Sequence, residues 1–277
     1  MEAPLYRGFP FDPSAPMGAG CAYWVGPRHL AGDDGRLYDA VADVLGELGW
    51  TSLTTVRGRR EPDDRQVIRS TVLHISPDAL RWAQWVLADE PFHLGDLPIA
   101  WQVSARTDTS SLAEWSAYFT TGVPGEAVAD FLVALDARNQ PAVPLVRPDL
   151  VVDTATAHGW LRDLDQPAAA TDPTFISYLS LGEVPPLIQD ADPRTLATGP
   201  DEPGPSGWQA WAQPAPDARY LWAASFAASV PHDLVAAFAT SLSSTESVLR
   251  RVVPEATRER LLWTPAGQAG WPAAGRS

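Results

Sequence analysis

The chain has 277 residues, 45% of them apolar, a length that corresponds to two domains or to one large one. Its formal net charge is −14, because 34 acidic residues outnumber 20 basic ones, and this charge opposes diffuse contact with nucleic acid or anionic lipid. Every basic residue is arginine, which excludes lysine Schiff-base chemistry and a P-loop lysine. The single cysteine, Cys21, excludes an intrachain disulfide and a cysteine-rich metal site.

Composition and motif searches also bear on compartment and chemistry. No apolar run approaches the length needed to cross a bilayer, and the acidic N-terminus lacks the apolar segment of a signal peptide. With so little cysteine, we expect a cytoplasmic protein that does not bind a membrane. The histidines show no ligand spacing, and neither a nucleophile elbow nor a dinucleotide-binding glycine motif is present. We therefore predict no catalytic residue, no metal and no cofactor.

The first predicted element is a helix with apolar residues at positions 37, 41, 44, 45 and 48, which form one face at a period of 3.6 residues. It ends at Gly49-Trp50, because glycine readily adopts the left-handed conformation that closes a helix. Two strands are predicted next, at Thr51–Val56 and Gln66–Ile75.

The hairpin between those two strands is the most basic part of the sequence. Guanidinium groups at a hairpin tip can clamp phosphates. The candidate nucleic-acid contacts are Arg57, Arg59, Arg60, Arg65 and Arg69. Three acidic residues between positions 61 and 64 cancel much of this charge, so a solvated hairpin is the favoured alternative.

Twelve tryptophans make the chain rich in large aromatic rings. An exposed indole offers a platform for a base, a sugar or a protein partner, whereas a buried one only packs the core. The candidate exposed aromatics are Trp82, Trp85 and Trp211. Trp82 and Trp85 lie three residues apart, and Trp211 interrupts a repeat in which Ser104 is its counterpart.

That repeat aligns Trp101–Leu135 with Trp208–Leu242 at an offset of 107 residues without a gap, and 12 of the 35 positions are identical. Such self-similarity indicates a duplicated unit. The positions that define it are Trp101, Trp115, Phe119, Pro124 and Phe131 in the first copy, and Trp208, Trp222, Phe226, Pro231 and Phe238 in the second.

Each copy predicts two antiparallel strands followed by a helix. Aromatic and small residues alternate around Trp115 and Trp222, which indicates a strand with one buried face. We therefore expect Trp115, Phe119, Trp222 and Phe226 to pack in the core. The proline that follows suits the start of a helix, and apolar residues then recur at helical spacing.

The second copy has a weaker version of the N-terminal part. A helix closed by His158 ends at Gly159-Trp160, and a strand is predicted at Thr174–Leu181. Ser243-Ser244-Thr245-Glu246 fits a capping box and predicts a C-terminal helix. We expect an α+β fold with two tandem copies of a small antiparallel sheet packed against helices. The first unit spans residues 1–140, and the second spans residues 150–277 with the C-terminal helix.

The segment Ile75-Ser76-Pro77-Asp78-Ala79, followed by a Trp strand, a Trp-x-Ala-x-Phe strand, a proline and an apolar helix, resembles the SPDY domain. This is an actinobacterial family of unknown function whose members usually carry two tandem copies. The resemblance covers most of residues 28–245. Ala79 stands where the family has an aromatic residue, and no clear Ser-Pro-Asp is found in the second unit. The resemblance implies a fold and a copy number but no activity.

Two functional hypotheses follow. The first is a non-catalytic interaction protein whose partner is another protein, because acidic charge and many aromatic residues suit a protein surface better than phosphate. The second is a DNA- or RNA-binding protein that uses the arginine hairpin and an exposed tryptophan. An uncharacterised enzyme is a third alternative, for which no residue can be named.

Overall fold

The computed structural model describes residues 21–60, 66–86, 93–94, 97–182, 207–216 and 218–266. The helices in these ranges are α1 (Arg28–Ala31), α2 (Leu37–Glu47), α3 (Gly125–Asp136), α4 (Pro148–Ala157) and α5 (His232–Ser243), with a 3-10 helix at Glu255–Arg260. The strands are β1 (Tyr23–Gly26), β2 (Thr51–Arg60), β3 (Gln66–Ile75), β4 (Arg81–Trp85), β5 (His93–Leu94), β6 (Leu97–Ala105), β7 (Trp115–Thr120), β8 (Leu161–Arg162), β9 (Ala169–Thr171), β10 (Ser177–Leu181), β11 (Trp208–Ala212), β12 (Trp222–Phe226), β13 (Val248–Arg250) and β14 (Leu262–Pro265).

One large antiparallel sheet joins the two copies of the repeat. Its strand order is β2-β3-β4-β6-β7-β12-β11-β10-β9-β8, and β5 pairs with the outer part of β6. The order on one side of the β7–β12 junction mirrors the order on the other. The predicted α+β class with antiparallel sheets against helices is confirmed, and the two sheets are in addition continuous.

A local two-fold axis passes through the middle of this sheet. Tyr118 of β7 pairs with Ser225 of β12, and these two residues are equivalent at the offset of 107. The flanking pairs Ala117–Phe226 and Phe119–Ala224 exchange with each other under the same rotation. The duplicated units therefore meet edge to edge through equivalent strands.

The helices cover one face of the sheet in the order α2, α3, α5, α4, which is again symmetric about the axis. Four phenylalanines lie where this layer meets the central strands. The ring centroids of Phe119 and Phe238 are 5.6 Å apart, and those of the equivalent pair Phe226 and Phe131 are 5.7 Å apart. Equivalent residues thus have equivalent surroundings, as a duplication predicts.

The helices α2 and α4 end at the two glycines that were predicted to close them. Gly49 and Gly159 have φ of 78° and 91°, a region that costs glycine little. In both copies the amide of the next residue, Trp50 or Trp160, donates to a carbonyl five residues earlier, which is the Schellman arrangement. The predicted strand at Thr174–Leu181 begins later, at Ser177, because residues 172–175 form a tight turn.

The predicted C-terminal helix is wrong. Val248–Arg250 form β13, which pairs with β1, and β14 pairs with the other edge of β1. A short segment such as Val248-Leu249-Arg250 fits either a strand or a helix, and pairing with the edge of β1 decides between them. A short 3-10 helix at Glu255–Arg260 is the helical element that follows.

The domain limits of 1–140 and 150–277 stay a prediction. Two features connect the units beyond the shared large sheet. The strand β1, near the start of the chain, forms its small sheet with β13 and β14, near the end. The helix α1 also contacts α5 of the second unit.

Candidate functional site

The residues that define the repeat form the core. Trp101, Trp115, Trp208 and Trp222 are fully buried, as are the four phenylalanines. The Trp115 indole donates to the Pro141 carbonyl, and the Trp222 indole donates to the His29 carbonyl. Pro124 and Pro231 directly precede α3 and α5. These residues stabilise the fold and are not available to a ligand.

The three candidate exposed aromatics are not exposed. Trp211 is 5% exposed, which contradicts the prediction, because it packs beneath Tyr178 and beside the residues of a second, smaller core cluster. Trp82 and Trp85 are half-buried. Trp85 packs edge-on against Trp101 on the helix-covered face, and the Arg106 guanidinium lies 5.6 Å from the centre of the Trp82 ring.

The candidate phosphate contacts lie along one hairpin. Arg57, Arg59 and Arg60 are in the last part of β2, Arg69 is in β3, and Arg65 lies outside the described residues. The backbone register places Arg57 directly opposite Arg69. The sheet therefore brings two of the five candidate positions side by side.

Among the described residues, the exposed tryptophan is Trp24, which was not one of the candidates predicted from the sequence. Trp24 is 37% exposed on β1, between the buried residues Tyr23 and Val25. It lies directly opposite Leu249 of β13, which is 47% exposed. Leu262, opposite Gly26, is 74% exposed. We call Trp24, Leu249 and Leu262 the small-sheet face. The three consecutive apolar residues at positions 23–25 indicate a strand whose two faces are both apolar.

The Ser-Pro-Asp segment of the first unit is a tight turn held by its own side chains. The Ser76 hydroxyl donates to the Asp78 carboxylate over 2.6 Å, and the Asp78 carboxylate also accepts the Leu80 amide. Ala79 has φ of 57°, in the left-handed region. This turn delivers the chain into β4 at Arg81.

Arg81 connects that turn to the end of α3. Its guanidinium donates to the carbonyls of Leu135, Asp136 and Arg138 and to the Asp78 carboxylate over 2.7 Å. The last carbonyls of a helix have no partner within the helix and carry partial negative charge. A buried guanidinium is suited to this position because its fork of donors satisfies several acceptors at once.

The second unit contains the same turn with the side chains exchanged. The pairing of β10 with β11 makes Asp172 equivalent to Ser76 and Thr174 equivalent to Asp78. The Asp172 carboxylate accepts the amides of Ile176 and Ser177, and Phe175 has the same φ of 57° as Ala79. The Ser-Pro-Asp sequence did not indicate this turn, because the geometry needs only one carboxylate and one hydroxyl, in either order.

The residue of the second unit that is equivalent to Arg81 is Ser177, which has no guanidinium group. Residues of the N-terminal helix α1 make the corresponding contacts instead. The Arg28 guanidinium donates to the Ser241 carbonyl near the end of α5 over 3.0 Å. The His29 ring lies 3.6 Å from the Asp172 carboxylate, and both side chains are buried. Two adjacent residues of α1 therefore replace one arginine of the first unit.

These contacts change the acidity of Asp172. Burial raises the pKa of this carboxyl, but the nearby His29 ring and hydrogen bonds from the Ser177 amide and from Thr174 outweigh that effect and hold the pKa well below its usual range. The carboxylate therefore stabilises the fold above the unfolded-state pKa, near 4, and this contribution is lost as the pH falls toward the folded-state pKa.

A first prediction concerns this carboxylate. We expect Asp172→Asn to lower the thermal midpoint at pH 7 and to flatten its decline between about pH 5 and pH 2, because asparagine does not ionise. Thermal unfolding followed by circular dichroism at several pH values measures both effects. The matched control is Asp39→Asn, at an exposed acid. Equal curves for Asp172→Asn and the wild type would show that this carboxylate contributes nothing.

Other classes of site find no support in the described ranges. No group of three or more His, Cys, Asp or Glu side chains is placed to hold a metal ion there. None of the helices described is both long enough and apolar enough to cross a membrane.

The comparison with protein families agrees with the duplicated architecture. Residues 75–142 and 190–248 match the family model SPDY, described as a domain of unknown function (DUF317). The first match begins at the Ser-Pro-Asp turn and extends past α3, and the second includes β11, β12 and α5. No curated protein and no solved structure matches the chain. Two regions of the chain therefore match the SPDY domain, which is consistent with two tandem copies.

Proposed function

We propose that this protein is a non-catalytic interaction protein that binds another protein through the small-sheet face. The observation that carries the proposal is the exposure of Trp24, Leu249 and Leu262 on three adjoining strands. Side chains alternate across a strand, so Tyr23 and Val25 hold β1 to the core while Trp24 points away from it. Tryptophan is enriched among the residues that dominate protein–protein binding energy.

The charge of the molecule supports the same class of partner. A chain of net charge −14 repels polyanions, whereas an apolar face binds a protein surface without a need for positive charge. The partner we expect presents an apolar patch of its own.

A second prediction tests this proposal. The double variant Trp24→Ser with Leu262→Ser should recover at least about tenfold less of the partner than the wild type, because it removes the centre of the apolar contact. Pull-down from native lysate, quantified by mass spectrometry, measures the recovery. The control is Leu112→Ser, at another strongly exposed leucine, on the loop between β6 and β7. Equal recovery by both variants, or no stoichiometric partner with the wild type, contradicts the proposal.

Nucleic-acid binding is the second candidate, and one observation favours it. Arg57 and Arg69 occupy directly opposed positions of the β2–β3 hairpin. Like charges at such positions destabilise a sheet unless an anion lies between them, which suits a phosphate backbone. A two-stranded ribbon also has the dimensions of the DNA major groove.

A third prediction separates this candidate from the first. If the hairpin binds phosphates, fluorescence anisotropy with labelled DNA or RNA at low ionic strength shows binding that weakens steeply with salt. Arg57→Gln with Arg69→Gln then lowers the salt slope by about 2, whereas the exposed control Arg219→Gln does not. No binding to single- or double-stranded DNA or RNA at low salt removes this candidate.

A further inference from the structure

The second unit contains a cavity of about 660 Å³ beside its edge strands, within the size range of small-molecule sites. Tyr178 and Trp211 form its aromatic floor, with ring centroids 5.3 Å apart and an angle of 14° between the ring planes. They lie on the sheet face opposite the helices, because their strand neighbours Leu179 and Ala210 belong to the main core. Phe175, 63% exposed on the tight turn, adds a third ring to the wall.

In the first unit the equivalent aromatic ring is covered by a neighbouring side chain. The counterpart of Tyr178 is Trp82, and the Arg106 guanidinium covers that ring while its Nε donates to the Ala79 carbonyl. The residue equivalent to Arg106 at the offset of 107 is Gln213. Its amide nitrogen donates to the carbonyls of Pro216 and Ala218, so the shorter side chain is held in its own loop. The two copies have thus diverged at the residue that covers the aromatic ring.

The polar side chains that line the cavity include acceptors with capacity to spare, in Asp163 and Gln213, and a donor, the Arg260 guanidinium. Oδ1 of Asp163 accepts the amides of Asp165 and Gln166, and within the described residues Oδ2 accepts no hydrogen bond. Oε1 of Gln213 is likewise without a donor in that part of the chain. The Tyr178 hydroxyl already donates to the Phe175 carbonyl over 2.8 Å. A ligand that fits therefore brings donors for Asp163 and Gln213 and acceptors for Arg260.

We propose that this cavity binds a neutral saccharide of one or two rings. Sugar rings present C–H groups that pack on aromatic faces, and their hydroxyls donate to carboxylate and amide oxygens. A proline-rich peptide offers carbonyl acceptors but few donors for Asp163 and Gln213, and the Tyr178 hydroxyl already donates to Phe175. A nucleotide brings its phosphate toward Asp163 in a protein of net charge −14. Arg260 at the edge of the cavity can donate to a ring oxygen.

The fourth prediction is a direct binding experiment. Saturation-transfer NMR with glucose, N-acetylglucosamine, maltose and cellobiose should show transfer to the ring protons of at least one sugar. Gln213→Arg places over Tyr178 the side chain that covers Trp82 in the first unit, and it should abolish the transfer. Phe175→Ala should weaken binding by about fivefold through loss of a ring contact. Asp163→Asn keeps the Oδ1 acceptor but replaces Oδ2 with an NH2 group, so it should weaken binding.

The variants are chosen to keep the fold. Alanine is the natural residue at the equivalent of position 175, where Ala79 has the same φ of 57°. Leu164→Ala, at an exposed residue outside the cavity lining, is the control and should bind like the wild type. Transfer to none of the sugars, transfer that persists in both Gln213→Arg and Phe175→Ala, or transfer only to AMP or a polyproline peptide would overturn the proposal. The protein-binding role of the small-sheet face is independent of this result, because no residue is shared.

Discussion

Replacing Arg81 with methionine should lower the free energy of unfolding by about 3 kcal/mol or more. Methionine keeps an unbranched apolar stem, although a shorter one, and removes every donor. The Asp78 carboxylate then loses its cation, and the carbonyls of Leu135 and Asp136 at the end of α3 lose the guanidinium donor. Urea denaturation monitored by tryptophan fluorescence measures the change.

Two further variants make the Arg81 result specific. Arg36→Met, at an exposed arginine paired with Asp39, should change stability by less than about 0.5 kcal/mol. Arg81→Lys should lower the free energy of unfolding less than Arg81→Met does, because the ammonium still donates hydrogen bonds. The recovery should be partial, because an ammonium does not reproduce the fork of guanidinium donors. If Arg81→Met unfolds at the same urea concentration as Arg36→Met, the guanidinium does not hold the turn to the helix.

The second large effect is expected in the phenylalanine cluster. Phe119→Ala and Phe226→Ala should each cost about 3–5 kcal/mol, since each removes a fully buried ring at the meeting of sheet and helices. The two values should agree within about 1 kcal/mol, because each ring contacts the equivalent partners. Thermal and urea unfolding measure both.

An exposed ring provides the control for this pair. Phe175→Ala removes the same side chain at the surface and should leave the unfolding midpoint close to that of the wild type. A cost for Phe119→Ala more than about 2 kcal/mol different from that for Phe226→Ala would contradict equivalent packing of the two units.

Much of the architecture was predictable because large, distinctive residues define the repeat. Pairs of tryptophans, phenylalanines and prolines at one offset can be aligned without a gap, and alternation and helical spacing around them fix the element types. Gly49 and Gly159 indicated the helix ends, because glycine adopts the left-handed backbone conformation that closes a helix.

The failures have a different physical origin. Val248–Arg250 became a strand because of β1, which lies more than 200 residues away in the chain. The turn at Asp172 depends on which atoms accept hydrogen bonds, so its exchanged side chains escaped a search by residue type. Exposure of Trp24, and burial of Trp211, depend on what the rest of the chain covers, which no local pattern records.

The self-equivalent pairing of Tyr118 with Ser225 has a consequence for the history of the protein. A strand that pairs with its own copy across a rotation axis is also a complete dimer contact for a chain that carries one copy. A single ancestral unit would have associated as a homodimer through this strand, and fusion of two genes would have made the contact permanent. Once both copies shared one chain, each was free to change without its twin, which a homodimer never allows.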